Sequence, residues 1–348
     1  MKKDESVNGP RISRKEFLYL VGGTALSIGA LSVVDGCKSA KTTAKESGAA
    51  KPVSKKKSIV RLKSPISTLG CTEPTVLADK LGYYKEEGIE VEFIKVVSLQ
   101  EALLSSSVDF TAWGTPSFVN AITKGVPVKW IAGLHQGGHA VITHKDSGIN
   151  TLEDLVGKRI AVFPTQAGPT DISFKLTLAQ KGYDFKKDVE LVPLDPASIA
   201  ISVKQRAVDA GCVCPHGPQM AIVQGWGRPV LADWEGTLFP GKGLQCGGLI
   251  YLEKLIKEQP EAAEGVKRAY IKALDFIKSK PKEAAKIMAE DMGNKGLIPV
   301  MELVLQHAKY TPMTDVKTVQ AYADHMYKQG MIKTLPDMEK EIPEEYRA

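Results

Sequence analysis

The 348-residue sequence lacks the short patterns that usually mark catalysis. It contains no HExxH pair, no glycine-rich phosphate loop and no Gly-x-Ser-x-Gly elbow. Helix-borne zinc hydrolysis, P-loop nucleotide chemistry and α/β-hydrolase acyl transfer therefore lack the residues they need. Net charge is also missing where a nucleic-acid binder would carry it. Residues 1–57 hold twelve basic and five acidic groups, net +7, which leaves −1 for residues 58–348 out of the chain's +6. The basicity belongs to the N-terminal region, and the folded part offers no electrostatic reason to bind nucleic acid. With 43% apolar and 25% charged residues, the remainder can bury the core of one large or two modest domains.

The N-terminal region reads as export and attachment. Lys2, Lys3, Arg11, Arg14 and Lys15 precede an uncharged run of 18 residues, Phe17 to Val34, which is broken by three glycines. A signal-peptide core fits this run better than a spanning helix. Val34-Asp35-Gly36-Cys37 follows and resembles the cleavage box of bacterial lipoproteins, with Cys37 as the lipidated residue. The segment "SRKEFL" resembles a twin-arginine export motif with Lys15 in place of the second arginine, so the export route stays open. Residues 38–57 carry seven lysines and almost nothing apolar, the composition of a flexible tether.

Two stretches agree at an offset of 100 residues. Gly82-Tyr83 mirrors Gly182-Tyr183, Val108-Asp109 mirrors Val208-Asp209, and Gly125 mirrors Gly225. In each stretch a strand ("EVEFIKV" or "DVELVPL") leads to a helix-period segment ("LQEALLSSS" or "SIAISVKQRA"). A second strand ("VDFTAWG" or "VDAGCVC") then runs into a helix start marked by Pro116 or Pro215. The repetition predicts two similar α/β lobes built on parallel sheets. Ligands would then sit beyond the carboxyl ends of the strands.

Four stretches resemble the substrate-binding proteins of ABC importers for nitrate, sulfonates, taurine and thiamine-pyrimidine precursors: "LADKLGYYKEEGIEVEF", "VDFTAWGTPSFVNAITKGVPVKWIAG", "HKDSGINTLEDLVGKRIAVFP" and "VDAGCVCPHGPQ". The resemblance implies an α/β, type II periplasmic-binding-protein fold of two lobes with a ligand cleft between them. It implies a monomer outside the cytoplasm, held to the membrane through Cys37 and delivering its solute to a permease and ATPase, without a cofactor. The divisions expected are a leader (1–36), lipidated cysteine and tether (37–57), lobe 1 (58–138), lobe 2 (139–247) and a helical C-terminal part (248–348) completing the lobes, mostly lobe 1. Glycine-rich crossings near 134–142 and 243–250 would act as hinges.

Carried over by position, the ligand shell would comprise Thr72, Glu73, Trp113, Gly114, Thr115, Gln166, Gly168, Thr170, Cys214 and His216, with His135, Gln136 and Gln245 at the crossings. Each has a structural alternative. Thr72 and Glu73 would equally cap a helix starting at Pro74, and Trp113 would equally fill core. If Glu73 faces the cleft, it favours a ligand with an amine or other donor. Gln166, Gly168 and Thr170 near a helix start would suit a sulfonate, carboxylate or nitrate. His135 and His139 have the i, i+4 spacing of a metal pair, but the glycines between them argue against a helix. Cys212 and Cys214 should share one strand face, and with Cys71 and Cys246 near the cleft they permit a disulfide or thiolate site; small buried thiols are the alternative. A pyrimidine-synthase-like enzyme of this fold is the main rival, although its dense cysteine cluster is reduced here to Cys246 between Gln245 and Gly247. An orphan receptor for a signalling partner is another.

Overall fold

The computed structural model describes residues 59–66, 73–96, 99–165, 168–241 and 243–348, all within one compact unit of the chain, 56–348. The leader, the tether, Cys37, Cys71, Thr72 and Gln166 lie outside the described residues.

Runs rich in branched apolar residues form the strands. In the first half, β1 (Val60–Pro65) and β2 (Ile89–Ile94) pair in parallel. β3 (Phe110–Gly114) and β4 (Val128–Gly133) flank β11 (Gly247–Leu252), and both pair with it antiparallel. Asp109 couples the two groups: its N–H donates to the Lys63 carbonyl at 2.8 Å, and its Oδ2 accepts from the Lys63 N–H at 2.7 Å. The chain then passes through β5 (His135–Gly137), which pairs with the late strand β12 (Ala308–Tyr310). In the second half, β6 (Ala140–His144), β7 (Arg159–Val162), β8 (Glu190–Pro193), β9 (Ala210–Val213) and β10 (Gly227–Ala232) form one sheet in the order β10-β6-β9-β7-β8.

The mirrored Val-Asp pairs explain why the halves match. Val108 and Val208 are buried, while Asp209 repeats the bracket on Arg159: its N–H donates to the Arg159 carbonyl at 3.0 Å and its Oδ2 accepts from the Arg159 N–H at 2.8 Å. In corresponding positions the strand orders are β2-β1-β3-β11-β4 and β8-β7-β9-β6-β10. The sheets are mixed and not wholly parallel as expected. β11 and β6 are the strands by which the chain enters a half after crossing, and each runs antiparallel to its neighbours. The second helix start also differs from expectation. Helix Gly217–Val223 carries Pro218 in its first turn, and Pro215 lies in the turn before it.

Helices cover both sheets. The apolar face of Pro260–Ser279 (Val266, Tyr270 and Leu274 among others) packs with Leu62, Ile89, Phe110 and Tyr251. Helix Val316–Lys328 lays Val319 and Tyr322 into a cluster with Phe118, Ile172 and Leu178, and the Tyr322 hydroxyl lies 2.9 Å from Ser173 Oγ. Gly248 lets the Trp130 ring approach β11: a Cβ there would stand 2.4 Å from the indole.

Two predictions follow from this framework. Asp109→Ala and Asp209→Ala each strand a strand-edge N–H and should each cost about 1–2 kcal/mol in urea unfolding. Because they sit in different sheets, their effects should add. The second concerns acid. Burial and the charges of Lys175 and Lys328 lower the His325 pKa from 6.5 to about 4. The folded state thus favours the neutral ring, and its contribution is intact above pH 6.5 and fades below it, by about 2 kcal/mol near pH 5. Asp171, raised by burial to about 6, gains its proton more easily when folded and so works in the opposite direction. His325→Phe should flatten the acid limb of stability against pH; an unchanged limb would show that His325 is not its source.

Candidate ligand-binding site

Strand ends from both halves converge on a cavity of about 810 Å³. From the first half come Trp113 and Gly114 at the end of β3, and Glu73 in the first turn of helix Glu73–Lys80. From the second come Phe163 and Gly168 after β7, and Cys214 and His216 after β9. Helix Pro281–Asp291 closes one side with Ile287 and Met288, and beside them Lys80 Nζ is 2.8 Å from Asp291 Oδ1.

The most informative contact spans the halves. His216 Nε2 lies 2.7 Å from Glu73 Oε1, with the two side chains 11% and 10% exposed. The distance is that of an ion pair, but its alignment falls short of a hydrogen bond. Among the described residues, neither carboxylate oxygen of Glu73 nor His216 Nε2 has a hydrogen-bond partner. Buried polar atoms left this way are uncommon, and on a cavity wall they make this contact a candidate for ligand recognition. His216 also adopts a positive φ of 80°, the kind of backbone strain that clusters at functional sites. Its N–H donates to Gln219 Oε1 at 3.0 Å, and Gln219 Nε2 donates to the Gly138 carbonyl at 3.3 Å.

The opposite edge is fixed by Asp171. Its Oδ2 accepts the Gly168 N–H at 2.9 Å and the Phe163 N–H at 3.1 Å, pinning both ends of the loop after β7. Burial nevertheless dominates and raises its carboxyl pKa to about 6. Gly168 is required by contact, since a Cβ would sit 2.8 Å from the Phe163 ring.

This geometry can be set beside known proteins. The family model described as NMT1/THI5 like matches residues 72–284. The chain belongs to this family. A putative aliphatic sulfonates-binding protein of Bacillus subtilis is 25% identical over 273 residues, covering 73% of this chain and 78% of its own length. A 4-amino-5-hydroxymethyl-2-methylpyrimidine phosphate synthase of Legionella pneumophila is 24% identical over 221 residues, covering 62% of this chain and 68% of its own. Among solved structures, the alkanesulfonate-binding protein SsuA of Xanthomonas axonopodis pv. citri, bound to MOPS, has a TM-score of 0.67 at 19% identity, covering 83% of this chain and 98% of that one. The fold is that of the two-lobed periplasmic binding proteins.

Of the residues expected in the ligand shell, Glu73, Trp113, Gly114, Gly168, Cys214 and His216 line the cavity. Thr72 and Gln166 lie outside the described residues. Thr115 and Thr170 are buried braces instead: Thr115 Oγ1 donates to the Gln245 carbonyl at 3.2 Å, and Thr170 Oγ1 to the Val213 carbonyl at 3.1 Å. His135, Gln136 and Gln245 belong to the crossing. Gln245 Nε2 donates to the Gly247 carbonyl at 2.8 Å and its Oε1 accepts the Asp315 N–H at 3.1 Å, so its amide is engaged at both ends. Gln136 lies alongside, its Nε2 3.4 Å from Gln245 Oε1.

His135 and His139, with Gly137 and Gly138 between them, share no helix face. His135 is on strand β5 with Nδ1 3.1 Å from the Gly137 carbonyl, while His139 Nδ1 is 3.3 Å from Asp233 Oδ2. Among the described residues, no group of three or more His, Cys, Asp or Glu is placed to hold a metal ion. The two close cysteines part company as well. Cys212 is buried in the core, where burial pushes its thiol up and keeps it protonated. Cys214 has passed the end of β9 and lines the cavity. Cys212, Cys214 and Cys246 form no disulfide with one another.

Gly168→Ala should force the Phe163 ring aside, with a stability loss of about 1–3 kcal/mol. A thermal melt unchanged from the parent chain would show that the loop tolerates the methyl and that its packing is not as drawn.

Proposed function

We propose that this protein is an extracytoplasmic solute-binding lipoprotein of an ABC importer, anchored through Cys37. It captures a small organic solute between its halves and hands it to a membrane permease energised by an ATPase. The observation that carries this reading is the Glu73–His216 contact, made by residues 143 positions apart from opposite walls of one cavity. A site assembled from both halves couples ligand contact to their closure. The family, the fold and the sulfonate-binding relative support the same reading.

Within the solutes expected for this class, a cavity of about 810 Å³ falls in the range that holds organic ligands and is poorly matched to nitrate. A carboxylate on its wall favours a solute carrying a donor, as a taurine-like amino sulfonate does. A thiamine-pyrimidine precursor is the second reading, favoured by an indole and a carboxylate lining the same space. The synthase among the relatives makes an enzyme of this fold the rival to be tested alongside.

The test is a thermal-shift screen of the full chain against sulfonates, oxyanions and pyrimidines. A true solute at ~100 times its dissociation constant adds about 2.7 kcal/mol, a shift of several degrees. If no organic solute stabilises the protein while iron or zinc does, the transport reading fails and the metal-dependent rival takes its place.

A further inference from the structure

The chemistry of the cavity wall narrows the solute further than its family does. Anions in α/β clefts are commonly held by free N–H groups at helix starts, and here the first N–H groups at three of the starts that face the cavity are missing or already bonded. At helix Pro169–Gln180, Pro169 has no N–H and the Gly168 N–H is held by Asp171. At Thr115–Thr123, Pro116 has none and the Thr115 N–H is held by the Cys246 carbonyl at 2.8 Å. At Gly217–Val223, Pro218 has none and the Gly217 N–H is held by the Cys214 carbonyl at 3.2 Å. No arginine is among the described lining residues; the lining lysines are Lys80, paired with Asp291, and Lys95, just past the end of β2. What the wall offers is an acceptor: a carboxylate nine-tenths buried, with both oxygens unbonded among the described residues.

Beyond that carboxylate the lining turns apolar. Val76 and Leu77 follow Glu73 along its helix, Leu99 opens the next wall, and Ile287 and Met288 come from helix Pro281–Asp291, with Met292 just past its end. These two helices pack against each other, so the chamber is a defined space continuous with the Glu73 site. Methionine and branched side chains adapt to an alkyl or aryl body without dictating its outline.

Resting on the solute-binding reading above, we propose that the solute is an amphipathic organic amine. Its nitrogen donates to the Glu73 carboxylate beside His216, and its apolar body lies in the chamber of Val76, Leu77, Leu99, Ile287 and Met288. The second carboxylate oxygen accepts this donor, so His216 keeps its place against the first. Simple oxyanions are selected against by sign, and short amines bind less tightly for want of a body to fill the chamber.

The experiment is isothermal titration of the full chain with n-hexylamine, hexane-1-sulfonate and ethylamine, repeated on Glu73→Gln and Ile287→Gln, with thermal melts to show that both variants are folded. n-Hexylamine should bind at least tenfold more tightly than either of the other two. Glu73→Gln should weaken n-hexylamine at least tenfold without weakening the sulfonate, and Ile287→Gln should reduce the advantage of hexylamine over ethylamine. A sulfonate that binds more tightly than the amine, or amine binding indifferent to Glu73→Gln, overturns this inference and leaves solute binding standing. If none of the probes binds and no solute of the wider screen does either, the solute-binding reading falls with it.

Discussion

The carboxylate of Asp233 sits where the chain changes halves, and the geometry of the cleft depends on it. Its Oδ1 accepts the Gly138 N–H at 3.0 Å and its Oδ2 the His139 N–H at 3.1 Å, binding the outward crossing to the end of β10. The Gly137 N–H to the Leu244 carbonyl at 2.8 Å and the Cys246 N–H to the His135 carbonyl at 3.1 Å complete the join. These groups are buried, and each would cost more unpaired than its bond contributes when made. The same segment accepts from Gln219, whose side chain also holds the backbone of His216. The join and the strained residue at the ligand wall are therefore two hydrogen bonds apart.

Repetition explains the frame and departures from it explain the site. Both halves use a Val-Asp pair to bind a strand start to its neighbour, and both bring the far end of the strand so started to the cleft. The tips then diverge. "WGTP" gives the first half an indole and a glycine, Gly114, that faces Pro169 of the other half at ordinary contact distance. "CVCPHG" gives the second a thiol and an imidazole. Two copies of one scaffold thus present complementary, unlike surfaces to a single ligand.

How much of this was legible in the sequence follows from the range of each interaction. The repeat, the strand cores and the Pro116 helix start are local, and periodicity shows them. The mixed sheets were not legible, because β6 and β11 take their direction from the crossing and not from their own residues. His135, Gln136 and Gln245 resemble site residues, being polar and beside glycines, yet their side chains lie with the backbone of the join. The wall formed by Ile287 and Met288 had only an amphipathic pattern to announce it, which any covering helix shares. The meeting of Glu73 with His216 needs both halves folded and closed on each other. The one clue was chemical: an acid at a helix start that would also suit a plain dipole role.

That acid separates the dipole role from the ligand role. A carboxylate placed to satisfy a helix start normally stays in water or accepts the N–H groups of its own first turn. Glu73 does neither among the described residues: it is nine-tenths covered and its oxygens point across the seam. Removing a charge from water without donors is costly, and an opposing imidazole offsets only part of that cost when the alignment is poor. On the proposed reading, a solute that donates to this carboxylate would also bridge the halves, so that recognition and closure would be one event at this residue.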